Sequence, residues 1–140
     1  MVESRDPAGR TRHKVAVQSG PAEEDLMDVS VNTRTTDDGI AVVEVAGEVD
    51  VYTAPTLRQH LRDATSNGAR RIVVDMTEVK FLDSTGLGVL VGAMGRIREV
   101  DGTLRLVVAS DHILKVLRIT GLDGLIPVDA DLETALAASA

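Results

Sequence analysis

The chain has 140 residues, enough for one domain with a single core, and its 44% hydrophobic and 26% charged residues are the proportions of a soluble globular protein. Its 15 Lys and Arg against 22 Asp and Glu leave a net charge of -7, which argues against nucleic acid or an anionic membrane as the main partner. With Tyr52 and Phe81 as the only aromatic residues and no Cys, base-stacking platforms, disulfides, thiol catalysis and cysteine-ligated zinc are excluded.

The opening residues lack the apolar stretch of a signal peptide. The longest apolar run, residues 87–94, is broken by Gly88 and Gly92 and is too short to span a bilayer, so a cytoplasmic domain is expected. Residues 1–27 mix charges with Pro7, Gly9, Gly20 and Pro21 and offer little apolar surface beyond Val15-Ala16-Val17. They read as a flexible tail ahead of a domain spanning 28–140.

From Asp28 the pattern becomes regular. Residues 28–35 alternate as a half-buried strand, Asp37-Asp38-Gly39 is a turn, and residues 40–46 form a second strand, which predicts a hairpin. Pro55 suits the start of a helix with Leu57, Leu61 and Ala64 on one face, ended by Asn67-Gly68. Residues 71–75 carry the continuous apolar run of a strand covered on both faces. A helix follows Ser84 and ends near Asp101-Gly102, and residues 104–109 form another buried strand. Ser110 caps a helix that Gly121 stops, residues 125–128 form a short strand, and Asp131 starts a last helix. This order predicts an α/β fold: a mixed β-sheet with an N-terminal hairpin and about four packed helices.

Several chemistries find no support. His13, His60 and His112 have no partners at metal-ligand spacing and read as solvated or capping residues. Gly86 and Gly88 lack the remainder of a phosphate-binding loop or dinucleotide fingerprint. Asp50, Asp75 and Asp83 each follow a predicted strand and could converge on magnesium, although helix capping explains them equally well. The sequence therefore assigns no catalytic residue, no metal site and no cofactor.

The informative stretch runs from Asp75 to Leu90. Ser84 falls where a helix begins, so its hydroxyl is expected to cap it. At 100° per residue, Leu87, Leu90, Val91, Met94 and Ile97 form an apolar arc, with Gly88, Gly92 and Gly95 as a bare stripe beside it. Interior glycines cost roughly 1 kcal/mol each relative to Ala, so something approaches this flank closely. Tight packing on a neighbouring helix and a docking groove for another protein are both open, and Arg98 fits neither.

The residues Phe81-Leu82-Asp83-Ser84-Thr85-Gly86-Leu87-Gly88, together with Gly47-Glu48-Val49-Asp50 and Ile119-Thr120-Gly121-Leu122, resemble the signatures of STAS-domain anti-sigma factor antagonists. The segment Asp50-Val51-Tyr52-Thr53-Ala54-Pro55 and the Ser84-Thr85 pair look most like the actinobacterial branch. The resemblance implies a non-enzymatic module that binds an ATP-dependent anti-sigma factor serine kinase and thereby frees a sigma factor. It implies that phosphorylation at Ser84, with Thr85 as a secondary candidate, ends that binding and that a PP2C-type phosphatase restores it. Asp50, Tyr52, Phe81, Asp83, Ser84, Thr85, Gly86, Gly88, Gly92 and Gly95 are then the expected partner-binding residues. Two other readings remain: a constitutive STAS scaffold in which Ser84 is only a cap, and a receiver-like domain phosphorylated on Asp75.

Overall fold

The computed structural model of the protein describes residues 2–5, 10–15 and 27–139. Its elements in chain order are β1 (Val2–Arg5), β2 (Arg10–Val15), β3 (Met27–Thr35), β4 (Ala41–Val49), α1 (Ala54–Ser66), β5 (Arg71–Leu82), α2 (Ser84–Glu99), β6 (Thr103–Val107), α3 (Asp111–Thr120), β7 (Val128–Asp129) and α4 (Leu132–Ser139). The seven strands lie side by side in the order in which they occur along the chain. Pairing is antiparallel from β1 to β4 and parallel from β4 to β7, the mixed sheet expected from the pattern.

Two opposite faces of the sheet follow from the period of two. Ala41, Val43 and Val45 of β4, Ile72, Val74 and Met76 of β5, and Leu104 and Leu106 of β6 join the larger core beneath α1, α2 and α3. Their alternates Val42, Val73 and Val107 point the other way, where Ile40 and Ala135 complete a smaller core with Leu132 and Leu136 of α4. Turn and cap residues act as the sequence suggests. Gly39 takes φ +88° in the β3–β4 turn, and Gly121 takes φ +78° at the end of α3. Ser110 Oγ accepts from Ile113 N at 3.4 Å, and Asp131 Oδ1 accepts from Thr134 N at 2.8 Å.

Three expectations need correction. The predicted strand 71–75 extends to Leu82 through two register shifts against β4, between Glu44 and Ala46 and between Gly47 and Glu48. Each bulge breaks the alternation, so the continuation was invisible to a periodicity argument. The predicted strand 125–128 is displaced to Val128–Asp129, because Leu122–Gly124 forms a single 3-10 turn that carries Leu122 and Ile126 into the core. The flexible reading of 1–27 falls in part on residues 1, 6–9 and 16–26, which lie outside the described residues. Within it, however, β1 and β2 extend the sheet, with Thr11 opposite Val31 and His13 opposite Val29. Composition reports apolar side chains, whereas an open sheet edge recruits backbone N–H and C=O groups whatever the side chains are.

The short β7 is held by chemistry more than by its ladder. Arg105 of β6 donates through Nε to Asp129 Oδ2 at 2.8 Å and through a terminal nitrogen to Asp129 Oδ1 at 3.1 Å. These bonds hold the Arg105 guanidinium pKa above its ordinary value. Arg105→Ala leaves a nearly buried carboxylate without its fork and is expected to cost roughly 2 kcal/mol, between exposed and fully buried pairs. Urea titration of the variant checks this.

Candidate functional site

The two bulges in β5 bring its C-terminal end level with that of β4. Val49 lies opposite Leu82, and Val49 O accepts from Asp83 N at 3.2 Å. The loop after β4 and the start of α2 therefore emerge together at one end of the sheet.

In the β4–α1 loop Asp50 is the organiser. Its Oδ1 accepts from Tyr52 N at 2.9 Å and from Thr53 N at 3.0 Å. Thr53 in turn accepts from Asp50 N at 2.9 Å and donates to Glu48 O at 2.6 Å. This closed set of bonds buries both side chains, Asp50 to 5% exposure, and pushes the intervening Val51 and Tyr52 outward, to 57% and 55% exposure. Phe81, the penultimate residue of β5, is exposed at the same end. Two apolar side chains and one amphipathic ring in solvent are an unusual expenditure for a domain with so few aromatics.

The start of α2 differs from expectation in one consequential way. Asp83, and not Ser84, is the N-cap: its Oδ1 accepts from Thr85 N at 2.9 Å and from Gly86 N at 3.2 Å. Ser84 is the first helical residue and is exposed, with no hydrogen bond to its hydroxyl among the described residues. The Ser84 hydroxyl, released from capping, is open to solvent.

The expected site residues divide as follows. Tyr52, Phe81, Ser84, Gly88 and Gly95 are exposed, while Asp83, Thr85 and Gly92 are half-buried. Asp50 and Gly86 are corrected from partner-facing to interior. Gly86 packs where a Cβ would stand 2.5 Å from Leu82 Cδ1 and 2.8 Å from Val49 Cγ1. The glycine stripe does not pack on a neighbouring helix: a Cβ at Gly88 or Gly95 would meet nothing within 4 Å. Val91, expected in the apolar arc, is instead 43% exposed, and Val89 and Ala93 are buried in its place. Ser84, Gly88, Val91 and Gly95 thus share one open face of α2. Arg98 is exposed and donates to Leu125 O at 3.3 Å.

Thr53, Val51 and Val91 were missed. The Asp50-x-x-Thr53 spacing just before Pro55 was a readable signal for the loop. Nothing in the wheel separated Val91 from its buried neighbours.

Other candidates do not gather here. Asp75 does not end a strand: it lies within β5 opposite Glu44, so it is separated from Asp50 and Asp83 by the whole bulged segment. No group of acidic or histidine side chains suited to a metal ion occurs among the described residues. His60, expected to be solvated or capping, is buried, with Nδ1 2.7 Å from Thr33 Oγ1. It borders a cleft of about 510 Å³ between β3 and α1, and a second cleft of about 360 Å³ borders Asn32, Glu44, Asp75 and Glu78. Neither includes Ser84. No helix among the described residues is long and apolar enough to cross a membrane.

The profile of the STAS domain matches residues 32–135, from the middle of β3 into α4. The chain belongs to the STAS family. The anti-sigma-B factor antagonist of Staphylococcus aureus is 38% identical over 107 residues, covering 76% of this chain and 98% of that protein. A solved anti-sigma factor antagonist from Mycobacterium paratuberculosis superimposes with a TM-score of 0.74 at 26% identity, covering 89% of this chain and 98% of the other. The phosphorylated form of the Bacillus cell fate determinant SpoIIAA superimposes with a TM-score of 0.62 at 25% identity, covering 77% and 97%. The STAS match begins after β1 and β2.

Proposed function

We propose that this STAS protein is an anti-sigma factor antagonist whose docking face is the open side of α2 with the exposed Val51, Tyr52 and Phe81. In its unmodified form it binds an anti-sigma factor serine kinase and so frees a sigma factor. ATP-dependent phosphorylation of Ser84 by that kinase ends the binding, and a PP2C-type phosphatase restores it. The switch belongs to the domain spanning 28–140, and Thr85 is the weaker acceptor because it is half-buried in the first turn.

The observation that carries this reading is the division of labour at the head of α2. Asp83 holds the free backbone donors, which leaves the Ser84 hydroxyl exposed and uncommitted. The names of the relatives point the same way. An antagonist acts by occupying a surface, and the absence of Ser84 from either cleft suits a surface device better than a ligand pocket.

Incubation with the cognate kinase and ATP is expected to place a single phosphate on Ser84, as read by mass spectrometry. Ser84→Ala is expected to stay unmodified and to remain bound to the kinase in pull-downs. Undiminished phosphorylation of Ser84→Ala at another residue would remove the mechanism. Equal affinity before and after complete phosphorylation would favour a constitutive scaffold.

A further inference from the structure

Away from Ser84, the same pair of helices carries positive charge that Glu99 answers only in part. Arg58 and Arg62 lie one turn apart on the exposed side of α1, and Arg96 lies in the last turns of α2, against which α1 packs. Arg96 lies against the bare backbone at Gly92, where a Cβ would stand 3.4 Å from its Nη1 nitrogen. Its Nε and Nη2 nitrogens are shielded from solvent and have no hydrogen-bond acceptor among the described residues. Burial, and then the positive charges of Arg62 and Arg58, hold the Arg96 pKa below its ordinary value, with Glu99 offsetting only part of this.

Neighbouring arginines are served differently. Arg70 donates to Val100 O, Arg98 to Leu125 O, and Arg34 and Arg105 pair with Glu44 and Asp129. No ion pair or hydrogen bond engages Arg58, Arg62 or Arg96 among the described residues. A chain with 22 acidic residues against 15 basic ones has nonetheless brought three arginines together with no carboxylate in ion-pair contact among the described residues. Like charges so grouped are unfavourable until an anion meets them.

We propose that the ridge formed by Arg58, Arg62 and Arg96 is a second contact surface, which receives a carboxylate-rich segment of the protein docked over Ser84. The inference rests on the docking role of α2 and adds the chemistry and orientation of what docks. Guanidinium groups match carboxylates in charge-assisted hydrogen bonds, and the exposed Arg58 and Arg62 are the ones a docked carboxylate reaches first. Nucleic acid is disfavoured by the net charge of -7 and by the lack of an aromatic side chain on α1 and α2. Arg96 follows Ser84 by twelve residues, about 18 Å along the helix, within the span of one ordinary interface. Arg96 is also about 120° around the helix from Ser84, on the flank towards α1, so the arginines border the open face rather than lie on it, with Asp83 and the phosphorylatable Ser84 at its far end. A partner can complement both ends in only one orientation.

Two measurements on the full chain test this. In the first, the arginine Nε–Hε resonances of isotope-labelled protein are followed during titration with hexaglutamate, pyrophosphate and a short DNA duplex. Hexaglutamate is expected to shift Arg58, Arg62 and Arg96 saturably, with at least a fivefold loss of affinity in R58Q/R62Q. Shifts elsewhere, or tighter binding of pyrophosphate or of the duplex, would overturn the assignment. In the second, calorimetry compares binding of the anti-sigma factor to wild type and to R58E/R62E, both positions being exposed. About a tenfold loss at low salt is expected, shrinking as NaCl is raised, with Ser84 still fully phosphorylated. Unchanged binding by the variant overturns the ridge and leaves the Ser84 reading standing. Failure of wild type to bind overturns the Ser84 reading, and the peptide titration still decides the ridge.

Discussion

Phosphorylation of Ser84 is expected to lower affinity for the anti-sigma factor at least tenfold while moving the melting temperature by no more than about 4 °C. The first number follows from charge. At an effective dielectric near 20, each added unit of charge about 5 Å from a partner carboxylate costs roughly 3 kcal/mol, and a phosphate brings about 1.5 to 2 units. Solvent screening that removes half of one unit's cost still leaves about 1.5 kcal/mol, or a factor of ten. The second number follows from position: an anion in the first turn of a helix is tolerated or favoured by up to about 1 kcal/mol. Calorimetry on the two forms, with thermal unfolding of each, separates the terms. A large fall in melting temperature would mean that modification acts by unfolding the site.

The role of Asp83 makes the argument sharper. In a helix with an empty N-terminus, a phosphate could fold back onto the free N–H groups and be largely neutralised there. Here Thr85 N and Gly86 N are already donated to Asp83, so fewer free N–H groups remain to neutralise the new charge. Asp83→Ala, which frees those donors, is expected to reduce the effect of phosphorylation on affinity to about threefold, at a cost of about 1 kcal/mol in stability. A variant that keeps the full tenfold effect would show that the cap plays no part in presenting the phosphate.

How far the sequence revealed this site depended on which physical signal each part left. Alternation in residues 28–35 and the apolar run at 71–75 were enough to place those two strands, because half-covered and fully covered faces dictate the side chains. The resemblance at 81–88 pointed to Ser84, but from the residues alone Ser and Asp are near-equal helix caps, and only geometry decided between Asp83 and Ser84. The bulges that align Val49 with Leu82 depend on backbone register, which periodicity cannot report. The strands β1 and β2 were illegible for a related reason, since edge pairing is backbone chemistry. The glycines were the hardest case, because the absence of a side chain looks the same whether it admits a neighbour or exposes a surface.

That ambiguity yields the second large effect, a pair of opposite signs within one helix. Gly86→Ala is expected to destabilise the domain by about 1 to 2 kcal/mol despite the better helix propensity of Ala. The new Cβ would stand 2.5 Å from Leu82 Cδ1 and 2.8 Å from Val49 Cγ1, and both of those side chains are buried at the ends of paired strands. Gly88→Ala and Gly95→Ala meet nothing within 4 Å and should each stabilise by about 0.5 to 1 kcal/mol. Chemical denaturation of the three variants gives the signs directly, and destabilisation at 88 or 95 would mean that the open face is closed in solution. If the face is open for docking, those same two substitutions should weaken anti-sigma factor binding even as they strengthen the fold. Stability gained at the expense of binding is the outcome that separates a docking surface from an unimproved helix. Retained affinity in a more stable Gly88→Ala protein would leave the glycines at 88 and 95 without a function, and would shift the contact towards Val51, Tyr52 and Phe81.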